Sequence, residues 1–352
     1  MSDNSTNSTV IENWHYDRKA VVYVVCFFSI SGTIINFLTI FVILSRKKLR
    51  RPANYSIVSF LFGALIQAII VAPLFITETI THSHPNKVPW LCDIYRFPYF
   101  LCGHIMQVSL LLVSFDRLFA IKYPYRYRQI STKRIIIGVI VCAWCTIIFT
   151  DLMPLTFFDR EPDNDGCNYT LEDTWGITVL LFFNILPFLI TSFNYFTLWK
   201  LAASMALKDF RQQESLHSES GSFKDKSDRD GQIDITNQDK DRKMFSKFKT
   251  FRLAMEIKAT KTSGFLLIVY LICWGPLGIF YIIDQFCSHC MTRCHVTLTG
   301  VAVNVICFSS SSLIPLVYCW RTKEFQKELV RFCCQIREVR IPIWSQRSER
   351  MN

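Results

Sequence analysis

Residues 104–128, HIMQVSLLLVSFDRLFAIKYPYRYR, decide the fold class of this chain. They begin inside a long apolar run at 93–121, pass an Asp-Arg pair and enter a polar, basic stretch. The run reaches the ~20 residues that a helix needs to cross the ~30 Å hydrocarbon core of a bilayer. Further runs of this kind lie on both sides of it. We place the whole set at 20–45, 55–80, 93–121, 135–157, 175–203, 258–286 and 296–319.

Only α-helices and closed β-barrels satisfy every backbone polar group inside lipid, and these runs are too long for barrel strands. The composition agrees, because 51% of the 352 residues are hydrophobic. We therefore predict an all-α membrane protein, a seven-transmembrane helix bundle with a short amphipathic eighth helix. The predicted limits are an extracellular, glycosylated N-terminus at 1–19, the transmembrane domain at 20–319 with a disordered third cytoplasmic loop at 205–256, the amphipathic helix at 320–334 and a cytoplasmic tail at 335–352.

The net charge of +11 could suggest nucleic-acid binding, but its placement indicates a membrane orientation instead. Basic side chains cluster after the first and third runs, and the segment 158–173 is acidic. Short basic loops stay in the cytoplasm. We therefore expect a multi-pass protein of the plasma membrane, surrounded by lipid, with its N-terminus outside and no nucleic-acid partner. The glycosylation triplets at Asn4, Asn7 and Asn168 then all fall on the outer side.

The order and spacing of marker residues in these runs resemble the rhodopsin-like (class A) G-protein-coupled receptors over about residues 20–334. The markers are Asn36, Asn54-Tyr55, Cys92, Asp116-Arg117-Leu118, Pro124-Tyr125-Arg126-Tyr127, Trp144, Pro187, Tyr195, Cys273-Trp274-Gly275-Pro276, Pro315-Leu316-Val317-Tyr318 and Phe325. Some of this texture is that of amine and muscarinic-type receptors. The resemblance implies a receptor rather than an enzyme, with no cofactor and no metal site. It also implies an extracellular ligand, a heterotrimeric G protein, receptor kinases and arrestin as partners.

The resemblance implies a switch at the inner ends of the helices. Arg117 is a charge near the end of a membrane helix and needs a partner; Asp116 is its neighbour. Glu256 stands where the family has the acid of an inactive-state ion pair with this arginine, although a solvated loop charge is the alternative. Tyr195 would line the opened cleft with Arg117. Tyr125 would insert into the G protein.

A second part of the implied switch lies higher in the bundle. Pro276 removes a backbone hydrogen bond and kinks the sixth helix, which gives its inner half a place to swing. Trp274 would sense a ligand above it, or would only fill the core. Tyr318, at the end of the seventh run, is placed in the same switch set by the resemblance.

Two groups of residues depart from the family pattern. Ala64, Met106 and Ile314 stand where the family has polar side chains that help to hold a sodium ion. Hard cations need oxygen ligands, so we expect sodium not to modulate this receptor, and we interpret the change as repacking. Gln107 and Tyr270 replace an apolar pair expected to face each other. An unpaired buried polar group costs about 1–3 kcal/mol, so we predict a hydrogen bond between them.

The ligand cavity lacks the usual amine anchor, because Tyr99 stands where amine receptors have an Asp. Helix phase gives the cavity residues as Tyr99, Gly103, His104, Asn184, Tyr281, Asp284 and Asn304, with Glu78 near the rim. Acids near the mouth favour a cationic ligand by electrostatic steering. A short cationic or amidated peptide is the first prediction. An amine-like small molecule and other ligands stay open, and His104 alternatively only packs through hydrogen bonds.

The cysteines on the outer side suggest disulfides through the resemblance. A bridge from Cys92 to Cys167 would tie the third helix to the second outer loop. A second bridge, from Cys287 to Cys290, would stiffen the third outer loop and leave Cys294 over. On the inner side, Cys333 and Cys334 follow an amphipathic segment and are candidates for palmitoylation or are unmodified thiols.

The third inner loop is too polar to fold alone. Its serines would carry the kinase sites; they are Ser215, Ser218, Ser220 and Ser222. Three other classes of protein remain as alternatives. A transporter or channel would show repeats or interrupted helix pairs, and a membrane enzyme would show a catalytic constellation; the sequence shows neither. A constitutively active receptor without a ligand stays open.

Overall fold

The computed structural model describes residues 4–81, 89–157, 178–222, 257–258, 260–280, 282–283 and 293–348. The described part is helical throughout its regular elements and contains no strand. The helices, which we label in chain order, are α1 (Asn4–Ser45), α2 (Pro52–Ile66, a π-helical turn at Gln67–Val71, then Ala72–Thr81), α3 (Pro89–Lys122), α4 (Lys133–Phe157), α5 (a π-helical turn at Leu180–Ile185, then Leu186–Ser222), α6 (Thr260–Phe280), α7 (Arg293–Arg321) and α8 (Lys323–Ser348).

Two short elements lie between these helices, at the end of the bundle that the sequence predicts to be cytoplasmic. A 3-10 turn at Lys47–Leu49 joins α1 to α2, and a helix at Pro124–Ile130, called here the inner-loop helix, joins α3 to α4. Seven described helices are long and apolar enough to cross a membrane. The spans are Arg18–Ser45, Pro52–Ile80, Phe97–Lys122, Lys133–Met153, Leu180–Ser204, Thr260–Phe280 and Thr299–Arg321. The predicted fold class is therefore confirmed.

Three helices extend past the predicted limits. Helix α1 begins at Asn4, while its apolar span begins at Arg18, close to the predicted start of the transmembrane domain at residue 20. Helix α5 runs to Ser222, so residues 205–222 of the predicted disordered loop are helical; residues 223–256 lie outside the described part. Helix α8 continues to Ser348 through most of the predicted tail. Extending an existing helix adds a hydrogen bond per residue without a new nucleation cost.

Helix α3 lies at the centre of the bundle and contacts α2, α4 and α5, while α1 packs on α2 and α7. The main core cluster includes Phe60, Met106, Leu110, Tyr270 and Ile314 from four of these helices. The opposite faces carry exposed large apolar side chains, as expected of helices that face lipid rather than water.

Pro187 of α5 follows a helical distortion that compensates for its missing N–H. Pro187 has no N–H to donate to the preceding turn. The π-helical turn just before it carries the bonding instead, and the N–H of Leu186 donates to the carbonyl of Leu181, five residues back. Pro315 lies inside α7 and Pro98 inside α3.

The apolar stripe of α8 docks on the bundle. Phe325 is fully buried and meets the Tyr318 ring edge-on at 5.6 Å between centroids. Phe332 packs against Phe41 of α1 with centroids 5.5 Å apart. Cys333 and Cys334 are exposed beside this stripe. The docked stripe fixes the position of α8 relative to α1 and α7.

Candidate functional site

The upper level of the site is a hydrogen bond between α3 and α7. The Tyr99 hydroxyl donates to Asn304 Oδ1 at 3.0 Å, and Asn304 Nδ2 donates to the Gly300 carbonyl at 2.8 Å. Tyr99 also packs with Trp274 against the cluster around Leu277. The structure thus brings Tyr99 and Asn304 together, and the hydroxyl that replaces the amine-receptor carboxylate is held by an amide.

The rim of the predicted cavity is described only in part. Glu78 lies half-buried near the end of α2. Tyr281 and Asp284 lie outside the described residues, as do Cys167, Cys287, Cys290 and Asn168. The structure describes the backbone of Cys92, Asn4 and Asn7 as helical but does not describe their side chains. The roles predicted for these residues stay predictions.

The middle level contains a buried polar triad that joins α3, α4 and α5. His104 Nδ1 lies 2.9 Å and 3.1 Å from the two carboxylate oxygens of Asp151, and Asn184 Nδ2 lies 3.1 Å from His104 Nε2. The His104 and Asp151 side chains are only 2% and 3% exposed. Phe100 and Phe183 flank the imidazole at 6.0 Å and 5.4 Å between centroids. His104 and Asn184 thus meet each other and Asp151.

The sequence reasoning missed Asp151, although a signal was present. It is the charged residue of the apolar run at 135–157, and ionisable residues inside membrane helices are rare and mark functional or paired positions. A carboxylate at this depth has to find a partner. Because the helix phase of α3 places His104 inward, the sequence contained the information needed to predict a pair of His104 with Asp151.

Trp274 forms the floor below Tyr99. A Cβ added to Gly103 would lie 3.0 Å from the Trp274 ring, which shows that the indole covers the α3 backbone at this glycine. The ring also stacks on Tyr270 at 5.7 Å between centroids and 18° between planes. Its Nε1–H donates to the Ser310 hydroxyl of α7 at 3.1 Å. Trp274 therefore connects α3, α6 and α7.

The predicted hydrogen bond between Gln107 and Tyr270 is wrong. Gln107 Nε2 is buried without a hydrogen-bond partner in the described structure. The Tyr270 ring packs instead between Trp274 and Phe60, with the Phe60 centroid at 6.2 Å. Aromatic stacking on two neighbours fixes the Tyr270 ring, and this packing decided its orientation where hydrogen-bond pairing alone had suggested Gln107.

The three positions that depart from the family's sodium set do lie together in space. Ala64, Met106 and Ile314 are fully buried members of the same core cluster. Their side chains offer a methyl group, a thioether and an alkyl chain rather than oxygen ligands. Their location supports the interpretation as apolar repacking, while the predicted insensitivity to sodium remains a prediction.

The inner level is an ion pair at the end of α3. Arg117 Nη2 lies 2.8 Å from Asp116 Oδ2, and the Tyr127 hydroxyl of the inner-loop helix donates to Asp116 Oδ1 at 2.8 Å. Burial, and next the Asp116 charge, raise the pKa of Tyr127 well above its usual range, so this phenol keeps its proton. Tyr127 was named only within the loop motif; its contact with Asp116 was not foreseen.

Of the remaining residues predicted for the switch, Tyr318 and Tyr195 lie near this ion pair. Tyr318 is buried, and its hydroxyl and that of Tyr195 lie in the interior near the Arg117 charge. Tyr195 also faces Gly264 of α6, whose added Cβ would lie 3.8 Å from its ring. Tyr125 is 71% exposed on the inner-loop helix. Pro276 lies within α6, and Glu256 lies outside the described residues.

The family comparison agrees with this architecture. The family described as "7 transmembrane receptor (rhodopsin family)" has a sequence model that matches residues 35–318, and the chain belongs to this family. The octopamine receptor beta-2R of Chilo suppressalis is 24% identical over 327 residues, 88% of this chain and 77% of that protein. The D(1) dopamine receptor of Carassius auratus is 23% identical over 351 residues, 93% of each chain. Cannabinoid receptor 1 of Taricha granulosa is 24% identical over 310 residues, 85% of this chain and 59% of that protein.

The family membership confirms the predicted resemblance to class A receptors. The chain is a multi-pass membrane receptor that signals as a G-protein-coupled receptor, and its family is one of receptors rather than enzymes.

Proposed function

We propose that this receptor binds a cationic extracellular ligand and activates a heterotrimeric G protein through outward movement of α6. The observation that carries the proposal is the inner ion pair. Arg117 is buried and held by Asp116, which the inner-loop helix also engages through Tyr127. A charge at this depth persists only with a partner. Movement of α6 away from Tyr195 would open a cleft in which the arginine meets a new partner.

The first candidate ligand is a short cationic or amidated peptide. The deep position of the amine anchor is occupied by Tyr99, which is bonded to Asn304. The deep carboxylate of Asp151 is engaged by His104. Acids near the predicted mouth of the cavity, Glu78 and Asp284, are the carboxylates that we propose attract the cation. Rim charges steer and hold a ligand that reaches outward, as a peptide does.

The second candidate ligand is a biogenic amine, and a specific observation favours it. Asp151 is a buried carboxylate paired with His104, which follows Gly103 in α3, and a Cβ added to Gly103 would lie 3.0 Å from the Trp274 ring. An ammonium group could replace the imidazole of His104 as its partner. Two of the relatives named above are receptors for octopamine and dopamine. An orphan that acts without a ligand is the remaining alternative.

The proposed receptor function implies a membrane orientation and a set of covalent modifications. An extracellular N-terminus in the plasma membrane would place Asn4, Asn7 and Asn168 for glycosylation and Cys92, Cys167, Cys287 and Cys290 for disulfides. The inner side would offer Cys333 and Cys334 for palmitoylation, since both are exposed on α8. Receptor kinases and arrestin would act on the serines between 215 and 222, which belong to the inner extension of α5.

The test is G-protein activation in cells that express the full chain. Stimulatory, inhibitory and phospholipase-linked responses are recorded against short amidated peptides and biogenic amines. Arg117→Ala sets the floor, and surface expression is measured for every variant. A response to a peptide that loses about tenfold in potency on Glu78→Gln or Asp284→Asn, one lost charge interaction of ~1.4 kcal/mol, supports the first candidate.

Charge-preserving variants serve as matched controls for the rim. Glu78→Asp and Asp284→Glu should retain most of the potency. An amine response that is lost on Asp151→Asn and unaffected by the rim variants would replace the peptide proposal by the amine proposal. A signal that equals the Arg117→Ala floor under all conditions would count against G-protein activation itself.

A further inference from the structure

A chain of buried hydrogen bonds runs from Trp274 to α2. The Trp274 Nε1–H donates to Ser310 Oγ at 3.1 Å, and the Ser310 hydroxyl donates to Gln67 Oε1 at 3.1 Å. Gln67 Nε2 donates to the Cys307 carbonyl at 3.2 Å and also lies 3.3 Å from Cys307 Sγ. Gln67, Ser310 and Cys307 are all fully buried. The chain joins α6, α7 and α2 at the level of the ligand-cavity floor.

The Ser310 hydroxyl donates to another helix, whereas the Ser309 hydroxyl donates to the Ile306 carbonyl of its own helix. Ser311 Oγ lies 2.8 Å from the Phe308 carbonyl of its own helix and 3.3 Å from the Phe28 carbonyl of α1. Such local bonds are the default for serine in a helix. Ser310 instead donates across to Gln67. A hydroxyl has a single hydrogen to donate, so this bond fixes which lone pair faces the Trp274 indole.

Gln67 also occupies the backbone carbonyl to which the Ser310 hydroxyl would otherwise donate within its own helix. The carbonyl three residues before Ser310 is that of Cys307, and Gln67 Nε2 already donates to it. Without the glutamine side chain, this carbonyl becomes free to accept the Ser310 hydrogen. The hydroxyl would then turn along its own helix, and the lone pair used by Trp274 would no longer be fixed.

The side-chain amide of Gln67 connects α2 to α7 among largely apolar side chains. It lies one helical turn from Ala64 and begins the π-helical turn Gln67–Val71, whose neighbours Ala68 and Val71 are buried and apolar. Ala64, Met106 and Ile314 provide no oxygen ligand nearby. The amide of Gln67 therefore cross-links α2 to α7 beside these apolar side chains, and π-helical turns often mark functional positions.

We propose that Gln67 is a positioning residue that holds Trp274, through the Ser310 hydroxyl, in the orientation in which the indole covers Gly103. Loss of this hold releases α6 and raises activity without ligand. The expected rise in activity without ligand rests on the proposed function, namely that movement of α6 activates the G protein. The positioning of Trp274 by Gln67 does not depend on G-protein activation and is tested separately.

The test combines two readouts on Gln67→Met, which keeps the length of the side chain and removes both polar atoms. The first readout is ligand-free recruitment of minimal Gα proteins of the three families in cells, normalised to surface expression. We expect Gln67→Met to raise recruitment about threefold to tenfold, the range that one lost buried hydrogen bond supplies. Ser310→Ala should give the same increase. Arg117→Ala again sets the floor.

The second readout is a double-mutant cycle on the melting temperature of the purified full chain in lipid nanodiscs. Gln67→Met, Trp274→Phe and the double variant are compared. Because Trp274→Phe removes the N–H donor, we expect Gln67→Met to have a smaller effect in that background, in melting and in recruitment. Equal effects of Gln67→Met in both backgrounds would overturn the inference, as would unchanged or lowered recruitment in a receptor that does recruit Gα.

A second Trp-Ser network in the same molecule provides the matched control. The Trp144 Nε1–H donates to Ser59 Oγ at 2.9 Å, and Ser59 Oγ lies 2.8 Å from Ser109 Oγ. This network joins α2, α3 and α4 and does not include α6. Ser59→Ala should lower the melting temperature and leave recruitment unchanged. Recruitment absent for every variant, with coupling present in the melting cycle, counts against the proposed function and supports the positioning of Trp274 by Gln67.

Discussion

At the scale of single residues, the pairing of His104 with Asp151 shows how much a buried charge restricts its neighbours. Both side chains are almost fully removed from solvent. Breaking such a pair by removing one partner leaves an uncompensated charge, whereas replacing both by apolar side chains is often tolerated. The sequence predicted that His104 faces inward; it did not predict that Asp151 would approach it from α4.

The triad gives the first prediction. His104→Leu leaves Asp151 without its partner, so we expect the free energy of unfolding to fall by about 3–5 kcal/mol. The double variant His104→Leu/Asp151→Leu should recover most of this loss because no buried charge remains. Thermal unfolding of the purified chain in detergent measures both effects. A double variant as unstable as His104→Leu would show that the pair is not what stabilises this region.

At the scale of helices, small residues set how closely neighbours approach. A Cβ added to Gly63 of α2 would lie 2.7 Å from Met106 Cγ and 3.2 Å from the Cys102 carbonyl of α3. A Cβ added to Gly32 of α1 would lie 2.6 Å from Ser311 Oγ of α7. Close backbone approach through small residues is the usual way that membrane helices associate.

The second prediction concerns this close contact between α2 and α3. Gly63→Ala forces Met106 and the adjacent backbone to shift, and overpacking of this kind costs about 1–3 kcal/mol. Gly138→Ala in α4 is the matched control, since an added Cβ there meets nothing within 4 Å. We expect a lower melting temperature for Gly63→Ala and no decrease for Gly138→Ala. Equal melting temperatures for the two variants would refute the packing argument.

The third prediction concerns the meeting point of α2, α3 and α7. Ala64, Met106 and Ile314 fill this point with apolar groups, so sodium finds no side-chain oxygen from them. A ligand that binds only the folded state raises its stability by mass action. We therefore expect the same melting temperature in sodium chloride and in equal choline chloride. A rise that is specific to sodium would contradict the prediction.

At the scale of the whole molecule, charged and polar side chains divide between the two ends of the bundle. The basic loop residues lie beside Arg117, the inner-loop helix and α8, while Tyr99, Asn304 and Glu78 lie toward the other end of the bundle. The Trp274 floor lies between these two ends. Helices α3 and α6 meet at this floor, where the Trp274 indole covers Gly103.

The fourth prediction is the orientation itself. Short basic loops remain in the cytoplasm, so an epitope at the N-terminus should be accessible on intact cells. An epitope at the C-terminus should become accessible only after the membrane is permeabilised. Treatment with a glycosidase should increase the mobility of the chain, and Asn4→Gln with Asn7→Gln should reduce that shift. Accessibility of both termini on intact cells would contradict seven crossings.

The sequence by itself determined the number of crossings, their approximate limits and the family. These features depend on the length and order of apolar runs and on motifs that are local in the chain. The apolar runs did not predict where the helices end. The extensions of α1, α5 and α8 are polar, and they depend on propagation from a helix already formed.

Only the tertiary structure decided which polar groups meet. His104 with Asp151, Gln67 with Ser310 and Tyr127 with Asp116 are pairs between different elements. The predicted partner of Gln107 was wrong for the same reason. In the membrane interior a buried polar side chain must find a partner, but several candidates lie within the same turn of neighbouring helices. The rotation and depth of each helix determine which of these candidate partners a polar side chain reaches. Close packing of the whole bundle fixes that rotation and depth.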